Sequence, residues 1–409
     1  MTYLRTFMGS RVLLAPANPF LQSILAVALS VLVYHRGQAL WMLYNNSPAR
    51  LSHINTFSSY DIKFADRVRS CEDALIVESR GVAIVACDAG RERWNTVMGV
   101  FLEPLVSASL YIYDYKDASA PDAEALKQVE LLNFPGKNDF HTLGLAFDEE
   151  TSTLFAVSHA KAGSRIERFT LDLDKLTATH TGTIQHALIN APNSIAIINS
   201  NELYVTNDHY FVARKFKLLS KIETWFGLPL GSVVHVKLRQ EKTGLAAASV
   251  RVVARAAFAN GISILNKTTV AVAACSRGSV NLYHVQRDAS LTFKTSFPVS
   301  FAPDNLSLHG GKLYIAGHPH LPSLIKFTLT RHICNEPAKL EKASGRLKRY
   351  CQSEKTAPSW IAEWSEEEGL KSLYVGTEYP SSATAAKDPG RGVGIVSGLY
   401  AKGIMVWRD

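Results

Sequence analysis

Residues 192–207 read PNSIAIINSNELYVTN. Two runs, SIAIIN at 194–199 and ELYVTN at 202–207, are divided by Ser200 and Asn201. Branched and aromatic side chains favour a pleated, extended backbone, and Asn and Ser form turns through their own side-chain hydrogen bonds. The stretch therefore reads as a β-hairpin. The same texture repeats on both sides of it. ALIVES 74–79, VAIVAC 82–87, SLYIYDY 109–115 and TLFAVSH 153–159 precede it. SVVHVKL 232–238, SVRVVARAAF 249–258, TVAVAAC 269–275, SVNLYHV 279–285, KLYIAGH 312–318, LIKFTLT 324–330, SLYVGTEY 372–379 and GVGIVSGLY 392–400 follow. Gly, Asn, Asp or Ser separates most neighbours, and helical periodicity is confined to the N-terminus and 212–226.

So many short antiparallel strands need an architecture that protects their edges. A propeller of four-stranded blades suits the length, and the runs recur loosely at about 50–60 residues, which gives about six blades. The expected fold is all-β: a six-bladed β-propeller over 60–409, preceded by an N-terminal hydrophobic helix within 1–45. The charged stretch 335–369 reads as a surface insertion between strands.

Of the 409 residues, 47% are hydrophobic and 20% charged, enough for a large core and too apolar for global disorder. The net charge of +8 comes without a run of five like charges, a zinc-knuckle pattern or a helix-turn-helix pattern, so no nucleic-acid partner is expected. Residues 20–34, FLQSILAVALSVLVY, are almost wholly apolar, with Arg5 and Arg11 before them and His35-Arg36 after. The run is an uncleaved signal anchor, a cleaved signal or a buried helix. Its length suits a signal core better than the ~20 residues of a comfortable span. The preceding positive flank favours a lumenal or extracellular body in the secretory pathway. Asn45 and Asn266 begin glycan-acceptor patterns in such a compartment. Of the five cysteines, Cys87 and Cys275 read as buried thiols in apolar runs, and Cys334 and Cys351 flank a polar insertion and could pair. Over 212–226, Phe216, Leu219, Ile222, Trp225 and Phe226 fall near helical spacing, with Lys215, Lys217 and Lys221 on other faces. This basic amphipathic helix lies either on an anionic lipid surface or over the tunnel mouth with its apolar face in the core.

There is no GxSxG elbow, Walker A loop, HExxH or strand-linked GxGxxG, so any chemistry must come from scattered loop residues. Four strand–loop junctions place carboxylates or amides beside apolar runs: Glu72 and Asp73, Asn193, Asn260, and Asp304 with Asn305. On inner strands these would converge on the axis as an oxygen-rich set suited to Ca²⁺. Singly, each could equally cap its own turn.

ELYVTNDHYF (202–211), FANGISIL (258–265), APDNLSL (302–308) and YIAGHPH (314–320), in this order, resemble the serum paraoxonase/arylesterase family. Gluconolactonase and strictosidine-synthase-like propellers are its neighbours. The resemblance runs from about Glu72 to the C-terminus. It implies a six-bladed propeller with calcium in its tunnel, an uncleaved N-terminal hydrophobic segment, and hydrolysis of aryl esters or lactones. It assigns a catalytic calcium to Glu72, Asn193, Asn260, Asp304 and Asn305. A second, structural calcium would use Asp73 and the position of Ser194, where the family has aspartate. The family activates water with two histidines. One matches His159; the other matches Leu143, which cannot accept a proton. His141, two residues earlier on the same face of an extended segment, is the candidate substitute. Asp208, His209 and His318 match positions near the tunnel. The family's N-to-C-terminal disulfide is missing, because the chain ends MVWRD. The alternative is a non-hydrolytic calcium-binding propeller that lost its base.

Overall fold

A computed structural model describes residues 18–117, 120–241, 244–353 and 357–409. Arg5 and Arg11 lie outside the described residues. Six sheets of four or five strands, antiparallel except where Glu130–Leu132 pairs parallel with Thr177–Ile184, are arranged in a ring. Their inner strands are Cys71–Val77, Thr142–Asp148, Pro192–Asn199, Ala259–Asn266, Ala302–His309 and Ser382–Asp388. Each inner strand packs beside the next, and the sixth packs against the first. The second strands are buried along almost their whole length, as in Val82–Cys87, Thr153–Ala160 and Thr269–Ala274. Each is covered on both faces by neighbouring blades, so it needs a continuous apolar run where a half-exposed strand would alternate. Six apolar clusters fill the spaces between blades; one joins Ile84 and Leu110 of blade 1 to Leu154 and Phe169 of blade 2.

The ring closes by strand pairing. Ser59–Lys63, from before blade 1, pairs with Ile404–Arg408 as the outer strand of blade 6. Cysteine chemistry differs from expectation at Cys87, which is not a free thiol but is disulfide-bonded to its cross-strand partner Cys71. The two stand 16 residues apart at the open end of one hairpin, where strand register sets them opposite each other, and the apolar context of Cys87 did not reveal that register. Cys334 and Cys351 pair, and Cys275 is buried and free.

All six inner strands carry the same irregularity. Near its start each holds one more residue than the second strand opposite, as between Thr142/Leu145 against Ser158/Ala156. Such a bulge bends the strand and re-aims side chains. Here it produces two stacked rings of residues around the axis.

Three helices lie on the face where the inner strands begin. Helix α1, Pro19–Asn45, bends, with Gln22–Val31 and Arg36–Asn45 meeting at 67°. Among the described residues no single helix is long and apolar enough to cross a membrane; this bent pair passes that test jointly by length and composition. Its second half is docked: Arg36 Nη1 donates to the Ser276 carbonyl at 2.6 Å, and Asn46 Nδ2 donates to the Ser300 carbonyl at 2.6 Å. Its first half exposes Phe20, Ile24, Val27 and Leu29.

Helix α2, Ala213–Phe226, is inverted relative to an ordinary surface helix. Phe216, Leu218, Leu219, Ile222, Trp225 and Phe226 are exposed, whereas Ser220 and Glu223 are buried. Of the two alternatives for this helix, this overturns the one with its apolar face turned into the core. Glu223 is held inward because its carboxylate accepts the backbone N–H groups of Tyr210 and Phe211, both at 3.0 Å.

Helix α3, Leu321–Cys334, replaces the strand expected at 324–330. Leu324, Phe327, Thr328 and Arg331 are its buried stripe, at helical spacing. Its start is capped by His320, whose ring nitrogen accepts from the Ser323 N–H. A short apolar run does not by itself distinguish strand from buried helix. The insertion is accordingly helical, through Pro337–Glu341 and Gly345–Cys351, and the strand Ser359–Ser365 occupies part of the stretch read as insertion.

Candidate metal centre and its histidines

The six bulges explain how scattered residues converge. The first ring is Glu72, Leu143, Asn193, Asn260, Asp304 and Ala383. The first five line one small cavity of about 40 Å³, with Asn95, Cys275 and His318 also in its wall. Close approach of the inner strands aims them there. A Cβ at Gly144 would lie 2.5 Å from the Asn193 carbonyl oxygen, and one at Gly261 would lie 2.6 Å from the Asp304 carbonyl oxygen, so only glycine fits at either place.

The polar atoms of this cavity are under-satisfied. Glu72 Oε2, Asn193 Oδ1, Asn260 Oδ1 and Asn305 Oδ1 are buried without a hydrogen-bond partner. Glu72 Oε1 accepts from Asn305 Nδ2 at 3.1 Å, and Asp304 Oδ2 lies 2.9 Å from His318 Nε2. Burial, then the nearby carboxylates Asp73 and Asp304, push Glu72 well above the usual carboxylate range. A buried acceptor with no donor costs about 1–3 kcal/mol, so three such oxygens on one cavity, with a fourth on Asn305, which bonds Glu72, leave a demand that a cation would meet. Among the described residues no three His, Cys, Asp or Glu side chains form a metal-holding cluster. The donors here are mostly amide oxygens, which suit a hard ion such as Ca²⁺ and not a thiolate- or imidazole-seeking metal. The residues therefore fit calcium.

The second ring is Asp73, Gly144, Ser194, Gly261, Asn305 and Thr384. Apart from Asn305 Oδ1, it is satisfied internally. Asp73 Oδ2 accepts from the Leu145 N–H at 2.7 Å; Oδ1 accepts from the Ala74 N–H and the Thr384 hydroxyl, both at 2.9 Å. Thr384 in turn accepts from Asn305 Nδ2 at 2.9 Å. With both Asp73 oxygens taken by the chain and no carboxylate at Ser194, this ring does not fit a second, structural calcium. It ties blades 1, 2, 5 and 6 directly.

Neither histidine of the expected pair faces the cavity of orphaned oxygens. His159 Nε2 lies 2.6 Å from the Pro192 carbonyl, so it carries the proton; Nδ1 accepts from the Thr96 and Ser164 hydroxyls. Burial lowers its pKa to about 4, so it is neutral over the physiological range. His141 is also buried, and its Nδ1 lies 3.1 Å from Asp88 Oδ2. Its Nε2 is buried without a hydrogen-bond partner. Both rings border a space of about 10 Å³, room for one water at most. Leu143 stands in the wall of this space and of the metal cavity, and separates them. Asp208 and His209 belong to a different cavity, whereas His318 reaches the first.

Several neighbours had no signal in the sequence. Asp88 follows Cys87 directly, but its partnership with His141 spans 53 positions. The hairpin Trp94–Asn95 with Val100–Phe101 brings Val97 and Met98 over the metal cavity, where Phe258, Leu321, Leu324 and Leu399 complete an apolar roof.

A six-bladed propeller with an oxygen-lined axial cavity is the class of protein that fold and site define. Residues 102–339, more than half of the chain, match the arylesterase family, and the chain belongs to it. It is 30% identical to serum paraoxonase/arylesterase 1 of Rattus norvegicus over 185 residues, 44% of this chain and 49% of that one. It is 26% identical to serum paraoxonase/lactonase 3 of Oryctolagus cuniculus over 208 residues, 49% of this chain and 55% of that one. The chain spans about half the length of the curated relatives it matches. A solved gluconolactonase of Xanthomonas campestris aligns with 88% of this chain and 93% of its own, at 14% identity and a TM-score of 0.49.

Proposed function

We propose that this chain is a calcium-dependent hydrolase of aryl esters or lactones. The observation that carries the reading is the set of three partnerless buried oxygens, of Glu72, Asn193 and Asn260, on one cavity that the Asp304 carboxylate also lines. Glu72, Asn193, Asn260, Asp304 and Asn305 would hold the ion. When bound, calcium supplies Lewis-acid polarisation of a carbonyl or phosphoryl oxygen. Asn193 and Asn260 would offer it their partnerless amide oxygens, and His318 holds Asp304 in its rotamer through their 2.9 Å contact. Met98, Phe258, Leu321 and Leu324 exclude bulk water. The Asp88 carboxylate holds the proton on His141 Nδ1 and leaves the lone pair on Nε2, 3.8 Å from Asp139 Oδ1; His141 would serve as general base only with Leu143 moved from between that ring and the metal cavity. His159, with both nitrogens engaged, positions the Pro192 carbonyl and so the start of the Asn193 strand.

A second reading is a calcium-binding propeller without hydrolysis. Leu143 favours it, as does a roofed cavity of about 40 Å³, too small for an aryl ester unless the roof moves. The exposed apolar half of α1 and the exposed apolar face of α2 support docking on a lipid surface. Two disulfides support an oxidising, secretory compartment, in which Asn45 and Asn266 would be glycan acceptors.

Turnover of phenyl acetate and of a lactone by the purified chain, with and without chelator, tests the hydrolase. Chelator should abolish turnover, and His141→Ala should reduce it at least tenfold, about 1.4 kcal/mol of barrier. Turnover indistinguishable from that of Asp304→Ala would leave the calcium-binding propeller as the reading.

A further inference from the structure

A second cavity, of about 330 Å³, lies beside the metal cavity, and the chemistry above does not use it. Val97 is in the wall of both, so the hairpin tip partitions them. One end of this cavity is an acceptor. Asp208 is 2% exposed; its Oδ1 lies 2.7 Å from His209 Nδ1, and its Oδ2 has no hydrogen-bond partner. His209 Nε2 is in turn fixed by the Thr224 hydroxyl at 2.6 Å, so the carboxylate cannot turn away. His159, with both nitrogens engaged, offers that oxygen nothing.

The other end is cationic. Arg214 directs its two Nη groups to the Lys161 and Ala160 carbonyls, both at 3.0 Å, and lies over the Trp94 ring. Its charge is thus placed but not neutralised by those partners. Lys215 and the ring of His186 are exposed beside it. A ligand that satisfies both ends carries a carboxylate for Arg214 and Lys215 and a hydroxyl that donates to Asp208 Oδ2.

Hydrolysis of a lactone makes both groups in one molecule. Water adds to the acyl carbon and the ring C–O bond breaks. The acyl carbon keeps the new oxygen as a carboxylate, the ring oxygen leaves as a hydroxyl, and one proton is released. An aryl ester yields the two groups on separate molecules. We propose that this cavity is a hydroxy-carboxylate site that takes the ring-opened product of a lactone. The assignment rests on the hydrolase reading above and selects lactones within it.

Calorimetric titration of the full chain with 5-hydroxypentanoate, pentanoate and 1-pentanol tests it. The hydroxy acid should bind at least tenfold more tightly than either of the others. Lys215→Gln, at an exposed position, and Arg214→Gln should weaken both carboxylates; Asp208→Ala should remove the preference for the hydroxyl. Equal affinity for pentanoate and 5-hydroxypentanoate, or Lys215→Gln with unchanged affinity, overturns the site. Binding is read without turnover. Hydroxy-acid binding in a chain that does not open lactones supports the site and counts against the hydrolase, whereas lactone opening without hydroxy-acid binding overturns the site and leaves the hydrolase standing.

Discussion

The two rings of residues at the bulges are one position apart in sequence and opposite in character. In the first, Glu72, Asn193 and Asn260 carry oxygens that no donor in the chain reaches. In the second, Asp73 is satisfied by the Leu145 and Ala74 N–H groups and the Thr384 hydroxyl. Asn305 spans the two, donating from Nδ2 to Glu72 and Thr384 while its Oδ1 is left without a partner. Both rings have the burial and the residue types of a metal site. The difference is where the donors come from. A ring whose hydrogen bonds are complete has become part of the framework, and one left short of donors is kept for something the chain does not itself supply.

Three variants test that contrast. The largest effect is expected at Asp73→Ala. It strands the Leu145 and Ala74 N–H groups, while the Thr384 hydroxyl can still donate to the Glu72 carbonyl at 3.0 Å, and should lower stability by roughly 4 kcal/mol, at about 1–3 kcal/mol for each stranded group. Denaturant unfolding should give this loss equally with calcium and with chelator; a loss seen only with calcium would make Asp73 a ligand after all.

Next is acid sensitivity at His159. Its folded pKa of about 4 lies below the unfolded value of 6.5, so the unfolded chain takes up the proton first. Stability is fully present above about pH 6.5 and falls as pH drops towards 4, by on the order of 3 kcal/mol. His159→Gln should flatten this limb of the pH profile. An unchanged slope would show that the ring is not held neutral.

The smallest effect belongs to the first ring. Asn193→Ala removes an orphaned acceptor, so in chelator its stability should change by less than about 1 kcal/mol. Its calcium affinity should fall at least tenfold, about 1.4 kcal/mol. Isothermal titration together with melting in chelator would separate the two, and a large loss of stability in chelator would place Asn193 in the framework with Asp73.

Leu143 shows how far the sequence alone carries. The family resemblance, not the chain itself, sets it at the place of an imidazole, and the structure adds that it lines both the metal cavity and the space shared by His141 and His159. The nominal dyad survivor His159 is turned away to Pro192, while His141 has acquired Asp88. Rotamer direction and a partner 53 positions away leave no periodic trace in a sequence. Helix α2 is a further case. Its spacing is amphipathic, but spacing does not say which face is inside, and the carboxylate of Glu223 turns the polar side inward.

The recurrence of strand-forming runs and turn residues was sufficient to specify an all-β ring of blades, because backbone preference and side-chain alternation are local. Glu72, Asn193, Asn260, Asp304 and Asn305 were legible singly as oxygen donors at strand–loop junctions, and only the family resemblance joined them into one set. Packing of the inner strands settled the rest: which oxygens are left without donors and which are bonded across blades. Those outcomes depend on contacts between residues distant in the chain, and such contacts exist only once the ring has closed.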